Sequence, residues 1–139
     1  MLKTLRAVAG SLAVVVCTAM AATAQDSETL YTCVDAAATR TLEIGATVCD
    51  AAPTDALTTR MEADNLQLRT GGLVTEVVTG GVAQVAGLEE GDVIYRVGGV
   101  DVDSNVKVAA RLSLIEESSD TVVNFLRRGR PYRVKIRRP

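Results

Sequence analysis

The sequence predicts an α+β domain built on a small, strongly curved antiparallel sheet or partial barrel of five to six strands, with two to three helices. Three observations carry this expectation. Short β-branched runs are bounded by the glycine pairs Gly71-Gly72, Gly80-Gly81 and Gly98-Gly99. Two stretches, 54–68 and 105–115, repeat apolar residues at helical spacing. Residues 122–137 read as two strands joined by a short glycine-containing loop.

The elements follow in chain order. Lys3 and Arg6 precede a charge-free apolar stretch ending in Ala22-Thr23-Ala24, which reads as an export signal cleaved before Gln25. Two other readings stay open: a retained anchor, since no charge occurs from Ala7 through Gln25, and lipid attachment at Cys17, where Val16 stands in place of the usual small residue. Removing residues 1–24 leaves 115 residues, enough for one core and too few for two. Residues 25–40 are polar and rich in Thr and Ala, without an apolar period, and are expected to be an irregular extension before a domain over 41–138.

Leu42, Ile44, Ala46 and Val48 alternate, predicting a strand over 41–48 that Asp50–Pro53 interrupts. A helix follows, with Thr54 or Asp55 as its cap and Leu57 and Met61 on one face. Leu73–Val78 is a second strand, Val82–Ala86 one helical turn ended by Gly87, and Asp92–Val97 a third strand running into the Gly98-Gly99 turn and a short strand to Val102. Asp103 or Ser104 caps a helix from Asn105 to about Ile115, with Val108, Leu112 and Ile115 on its inner face. In the last strand Tyr132, Val134 and Ile136 point one way and Arg133, Lys135 and Arg137 the other.

Cysteine usage fits export. Cys17 leaves with the signal, and Cys33 and Cys49 are expected to pair in an oxidising compartment, closing a loop of 15 residues worth about 3 kcal/mol. A metal site would need more ligands than two cysteines, and the chain has no histidine. Neither a metal nor another cofactor is expected.

The run Ala83-x-x-Ala86-Gly87-Leu88-x-x-Gly91-Asp92-x-Ile94 resembles the bacterial PDZ family, most of all the PDZ domains of HtrA-type proteases and of type II secretion components. The small residues are each needed for a steric reason. Ala83 and Ala86 let the single turn lie close to the sheet, Gly87 ends it, and Gly91 permits sharp re-entry. The likeness covers roughly residues 41–137. It departs from the family at Val97-Gly98-Gly99, where Asn usually precedes Gly. It departs again in the 27-residue spacing between Gly45 and Gly72, which is longer than expected of the protease domains.

The resemblance implies a binding groove and its residues. The carboxylate-binding loop matches best at Ile44, Gly45 and Ala46, whose main-chain N–H groups would hold a terminal carboxylate. Read without the family, Ile44-Gly45 is a strand residue beside a bulge. Along the helix, Asn105 would face the partner's antepenultimate side chain, and Ala109 and Leu112 would line apolar pockets. A partner segment would add as a strand after Gly45. Glu43 opposes carboxylate binding there, which leaves an internal segment as a second kind of ligand.

Catalysis is disfavoured on composition, because a chain without histidine builds no Ser-His-Asp, Cys-His or H-E-x-x-H site. A Ser-Lys dyad would have to use Lys107 or Lys135. Glu89-Glu90 and Glu116-Glu117 read as solvated surface, and neither Gly71-Gly72 nor Gly80-Gly81 has the lysine or spacing of a phosphate loop.

After signal removal the chain has 13 basic and 17 acidic side chains, seven of the basic ones between Arg127 and Arg138. That basic end reads either as a surface for an anionic partner or as protection of a terminal strand against edge pairing. The expectation is a periplasmic or secreted, non-enzymatic module that binds a protein or peptide. Neither nucleic acid nor stable membrane insertion after signal removal is expected. The alternative is a structural assembly or dimerisation module of a secretion or envelope complex.

Overall fold

The structure, a computed structural model, describes Gly10 and residues 29–139. The expected signal, residues 1–24, lies outside the described residues apart from Gly10. Among the described residues no helix is long and apolar enough to cross a membrane.

Eight strands and three helices succeed one another as β1 (Tyr31–Cys33), β2 (Arg40–Leu42), β3 (Ala46–Pro53), α1 (Asp55–Asp64), β4 (Gly72–Val77), α2 (Val82–Ala86), β5 (Val93–Val97), β6 (Val100–Asp101), α3 (Asn105–Ser113), β7 (Asp120–Arg127) and β8 (Arg130–Arg137). The sheet runs β1-β3-β4-β5-β7-β8, with β2 also on β3 and β6 also on β5. Every pairing is antiparallel. This is the predicted α+β architecture, with short strands beyond the five or six that apolar patterning marks.

Strand alternation puts a core on each face of the sheet. Val48, Val74, Ile94, Val123, Phe125 and Ile136 meet Val108 of α3 and Ala83 of α2 on one face. Cys49, Leu73, Val93, Tyr95 and Leu126 meet Leu57 of α1 with Leu30 and Tyr31 on the other. A bulge at Ile94–Arg96 lets Ile94 and Val97 share a face despite their odd separation. The helix ends obey local chemistry. Thr54 and Ser104 accept from the N–H groups of Leu57 and Lys107, and Gly87 closes α2 at φ +107°.

Four sequence expectations are corrected. The run 41–48 is not one strand: Leu42, Ile44, Ala46 and Val48 are all buried, as the alternation requires, but the chain reverses at Glu43–Gly45. Gly45 sits at φ +84°, and its N–H donates to the Leu42 carbonyl at 3.0 Å, a three-residue hairpin loop with glycine at the left-handed position. Nor does Asp50–Pro53 interrupt the strand; β3 runs on to Pro53, where a missing donor is tolerated at a strand end. The polar extension is not irregular throughout, because Tyr31–Cys33 pairs with Ala51–Pro53. Three residues are too few to show a period. Finally, α3 ends at Ser113, and Leu114 and Ile115 tighten onto the carbonyls three residues back.

Candidate peptide groove

One wall of the site is the hairpin of β2 and β3, and the other is α3. Between them lies a cavity of about 200 Å³, whose apolar lining includes Leu42, Ile44, Ala109, Leu112, Ile115 and Ile136. Pockets that enclose a drug-sized ligand run from about 300 to 1,000 Å³, so this one suits a side chain or two. Arg40, Glu43 and Arg138 stand at its rim.

The rim is internally braced. Arg138 reaches Glu43 at 3.4 Å and donates to the carbonyls of Ser113, at 3.2 Å, and Ile115, fastening the chain end to the last turn of α3. Arg40 Nε donates to Asn105 Oδ1 at 3.4 Å. The main-chain N–H of Asn105 donates to Asp50 Oδ1 at 2.7 Å, so β2 and β3 are each tied to the first residue of α3.

The six groove residues expected from the sequence do not all converge. Ile44, Ala109 and Leu112 share the cavity; Asn105 is outside its lining and reaches it only through the hydrogen bond it accepts from Arg40. Gly45 and Ala46 lie outside the lining. The Gly45 N–H, expected to face a carboxylate, is taken by Leu42, and its carbonyl accepts from Val78. Arg40 and Arg138 were not among the expected residues. Arg40 shares the parity of Leu42 and Ile44, and Arg138 that of Ile136, but parity alone does not mark them, because Arg130 shares it and is exposed.

The strand edge expected to receive a partner is occupied. On its far side from β4, β3 pairs with the chain's own N-terminal segment: Leu42 opposite Ala46, Thr41 opposite Thr47, Arg40 opposite Val48, then Cys33, Thr32 and Tyr31 opposite Ala51, Ala52 and Pro53. Val34 N–H bonds the Asp50 carbonyl between the two blocks. A disulfide joins Cys33 to Cys49 across this hairpin, with Cα atoms 5.6 Å apart.

Outside the cavity lining, Asp92 is buried and takes both arms of Arg127, Nε at 2.9 Å and Nη2 at 2.8 Å, with a third hydrogen bond from the Glu89 N–H at 2.8 Å. The hydrogen bond to Asp92 holds the Arg127 guanidinium above its already high ordinary pKa. Among the described residues, no three His, Cys, Asp or Glu side chains gather as a metal site would require.

Comparison with known proteins agrees with this architecture. The PDZ domain family matches residues 55–125. This chain belongs to the PDZ domain family. Its PDZ region is 30% identical over 83 residues to the periplasmic pH-dependent serine endoprotease DegQ of Escherichia coli (strain K12), a stretch covering 56% of this chain and 18% of DegQ. A solved structure of the HtrA-type protease AlgW with decapeptide superposes with a TM-score of 0.50 at 21% identity, covering 70% of this chain and 29% of that one. The chain therefore corresponds to less than a third of either protein, and the match is to their PDZ architecture. Within this PDZ domain the motif Gly91-Asp92 does more than turn the chain: it delivers the carboxylate that clamps Arg127.

Proposed function

We propose that this protein is an exported, non-catalytic PDZ module that binds an extended peptide or a protein C-terminus, serving as adaptor or regulator of an envelope protein or protease. The observation that carries the reading is the cavity between the Leu42–Ile44 turn and Ala109, Leu112 and Ile115, apolar within and rimmed by Arg40, Glu43 and Arg138. An apolar hole with the Arg138 guanidinium at its rim suits a peptide's last residue, its aliphatic side chain in the hole and its main-chain carboxylate toward the cation. Export is supported by Lys3, Arg6 and the apolar stretch to Ala24, and by the periplasmic location of DegQ. The groove residues proposed for the ligand are Ile44, Ala109 and Leu112 for its last side chain and Asn105 for the antepenultimate one, with Gly45 and Ala46 shaping the turn. Titrating the chain from Gln25 against a random library of C-terminal peptides, with amidated peptides as control, tests this. Absence of any binder in either form removes it.

A second reading, an assembly or dimerisation module of a secretion or envelope complex, is favoured by the occupied edge of β3, since such a face needs no captive strand. Light scattering that shows monomer at all concentrations counts against it.

A further inference from the structure

We infer that the segment Arg40–Leu42 is an internal ligand of the groove, which an external peptide must displace by strand exchange. The inference rests on the peptide-binding reading above and specifies what regulates that site and which peptide fits it.

Direction comes first. Strand β2 lies antiparallel along β3, and its last residue, Leu42, stands opposite Ala46 at the start of β3. A peptide added to this edge with its C-terminus at the turn would run the same way. Position comes second. Leu42 is buried at 5% exposure and lines the cavity, where the final side chain of a peptide would go. Two residues earlier, Arg40 meets the Asn105 side chain, the position assigned to an antepenultimate residue. The helix α3 packs against β2 as well as against β3, so the segment lies along the β3 edge that faces the helix.

Such a segment is also displaceable. Its pairing to β3 is three residues long, between the Glu43–Gly45 turn and the exposed connector 34–39. The connector is held by the bond from Val34 N–H to Asp50 and by local bonds at Asp35. Short pairing beside exposed backbone belongs to the low-stability end of a fold. The Cys33–Cys49 disulfide keeps the displaced segment close. A tether of that length holds a competitor at an effective concentration of order millimolar. Free peptide therefore binds weakly until the segment is released.

The internal strand also acts as a template for the partner: an extended peptide with an aliphatic last residue and, two residues before it, a basic side chain that donates to Asn105 Oδ1.

The test uses a fluorescent peptide with the sequence of residues 36–42 and a free carboxylate, bound to the full chain and to Arg40→Pro. The proline opposes strand pairing and takes the guanidinium off Asn105. Tighter binding by at least tenfold in Arg40→Pro is expected, and at least tenfold weaker binding of a probe carrying Glu in place of its Arg. In the unaltered protein, amide resonances of residues 40–42 must move toward random-coil positions as probe is added, a measurement that stands even where the proline variant does not fold. Equal affinity of the two proteins, with those resonances unmoved, overturns the internal ligand and leaves peptide binding intact. Failure of this probe and of the random library to bind either folded protein overturns both.

Discussion

Asp92 and Arg127 form a two-pronged ion pair, at 2.9 and 2.8 Å, in which the carboxylate is 1% exposed and the guanidinium also caps the Gly87 carbonyl at 2.6 Å. The pair joins the end of α2, the entry to β5 and the end of β7. Removing one partner of a buried pair leaves the other charge uncompensated. Arg127→Ala is expected to lower stability by about 3–5 kcal/mol in urea unfolding. Lysine cannot reproduce the two parallel bonds, so Arg127→Lys should recover only part of the loss.

Gly71 is buried, and a Cβ there would press into the carbonyl oxygen of Ile94 on the neighbouring strand. Both partners are main chain, so neither side can give way cheaply. Gly71→Ala is expected to cost about 1–3 kcal/mol or more through displaced strands. By contrast, an added methyl at Gly91 or Gly99 would meet open space, and the penalty there comes from the positive φ alone. Thermal unfolding of the three alanine variants should rank Gly71→Ala as the most severe.

Replacing Cys33 and Cys49 together by serine opens the loop that the disulfide closes around β2. Loss of about 3 kcal/mol at 25 °C is expected from loop entropy. Chemical unfolding of the double variant beside the reduced and oxidised parent measures it.

Tyr31 is buried in the second core, and burial pushes its phenol above the ordinary pKa of 10.0; the hydrogen bond from the Arg69 N–H opposes that rise. The folded chain then holds this proton to higher pH than the unfolded chain does. Its stabilising share is complete below the unfolded value of 10.0 and is lost as pH climbs through the folded one. Stability should therefore fall above pH 10.0 in the parent and fall less steeply in Tyr31→Phe, as read from urea midpoints across that range.

How much of this was legible depended on whether the deciding contact is local. The run from Ala83 to Ile94 reports itself fully, because Gly87 ends α2 with its own φ of +107° and Ala83 is buried by its own size. The alternation of Leu42, Ile44, Ala46 and Val48 correctly marks four buried residues. It is silent on the reversal between them, since a three-residue loop preserves parity. Tyr31–Cys33 pairs with Ala51–Pro53, far along the chain, and nothing in a three-residue polar run announces so distant a partner. The candidate groove suffered for the same reason: its helix wall was readable, and the occupant of its strand edge was not.

The two outer margins of the sheet differ in character. At one, the covering strand is broken by the connector 34–39, and at the other, β8 presents exposed Arg130, Arg133, Lys135 and Arg137. Neither is a long, flat, uncharged template on which another molecule could stack. The cost of that protection is ionic: concentrated salt screens the cations of β8 and weakens the repulsion that guards that margin.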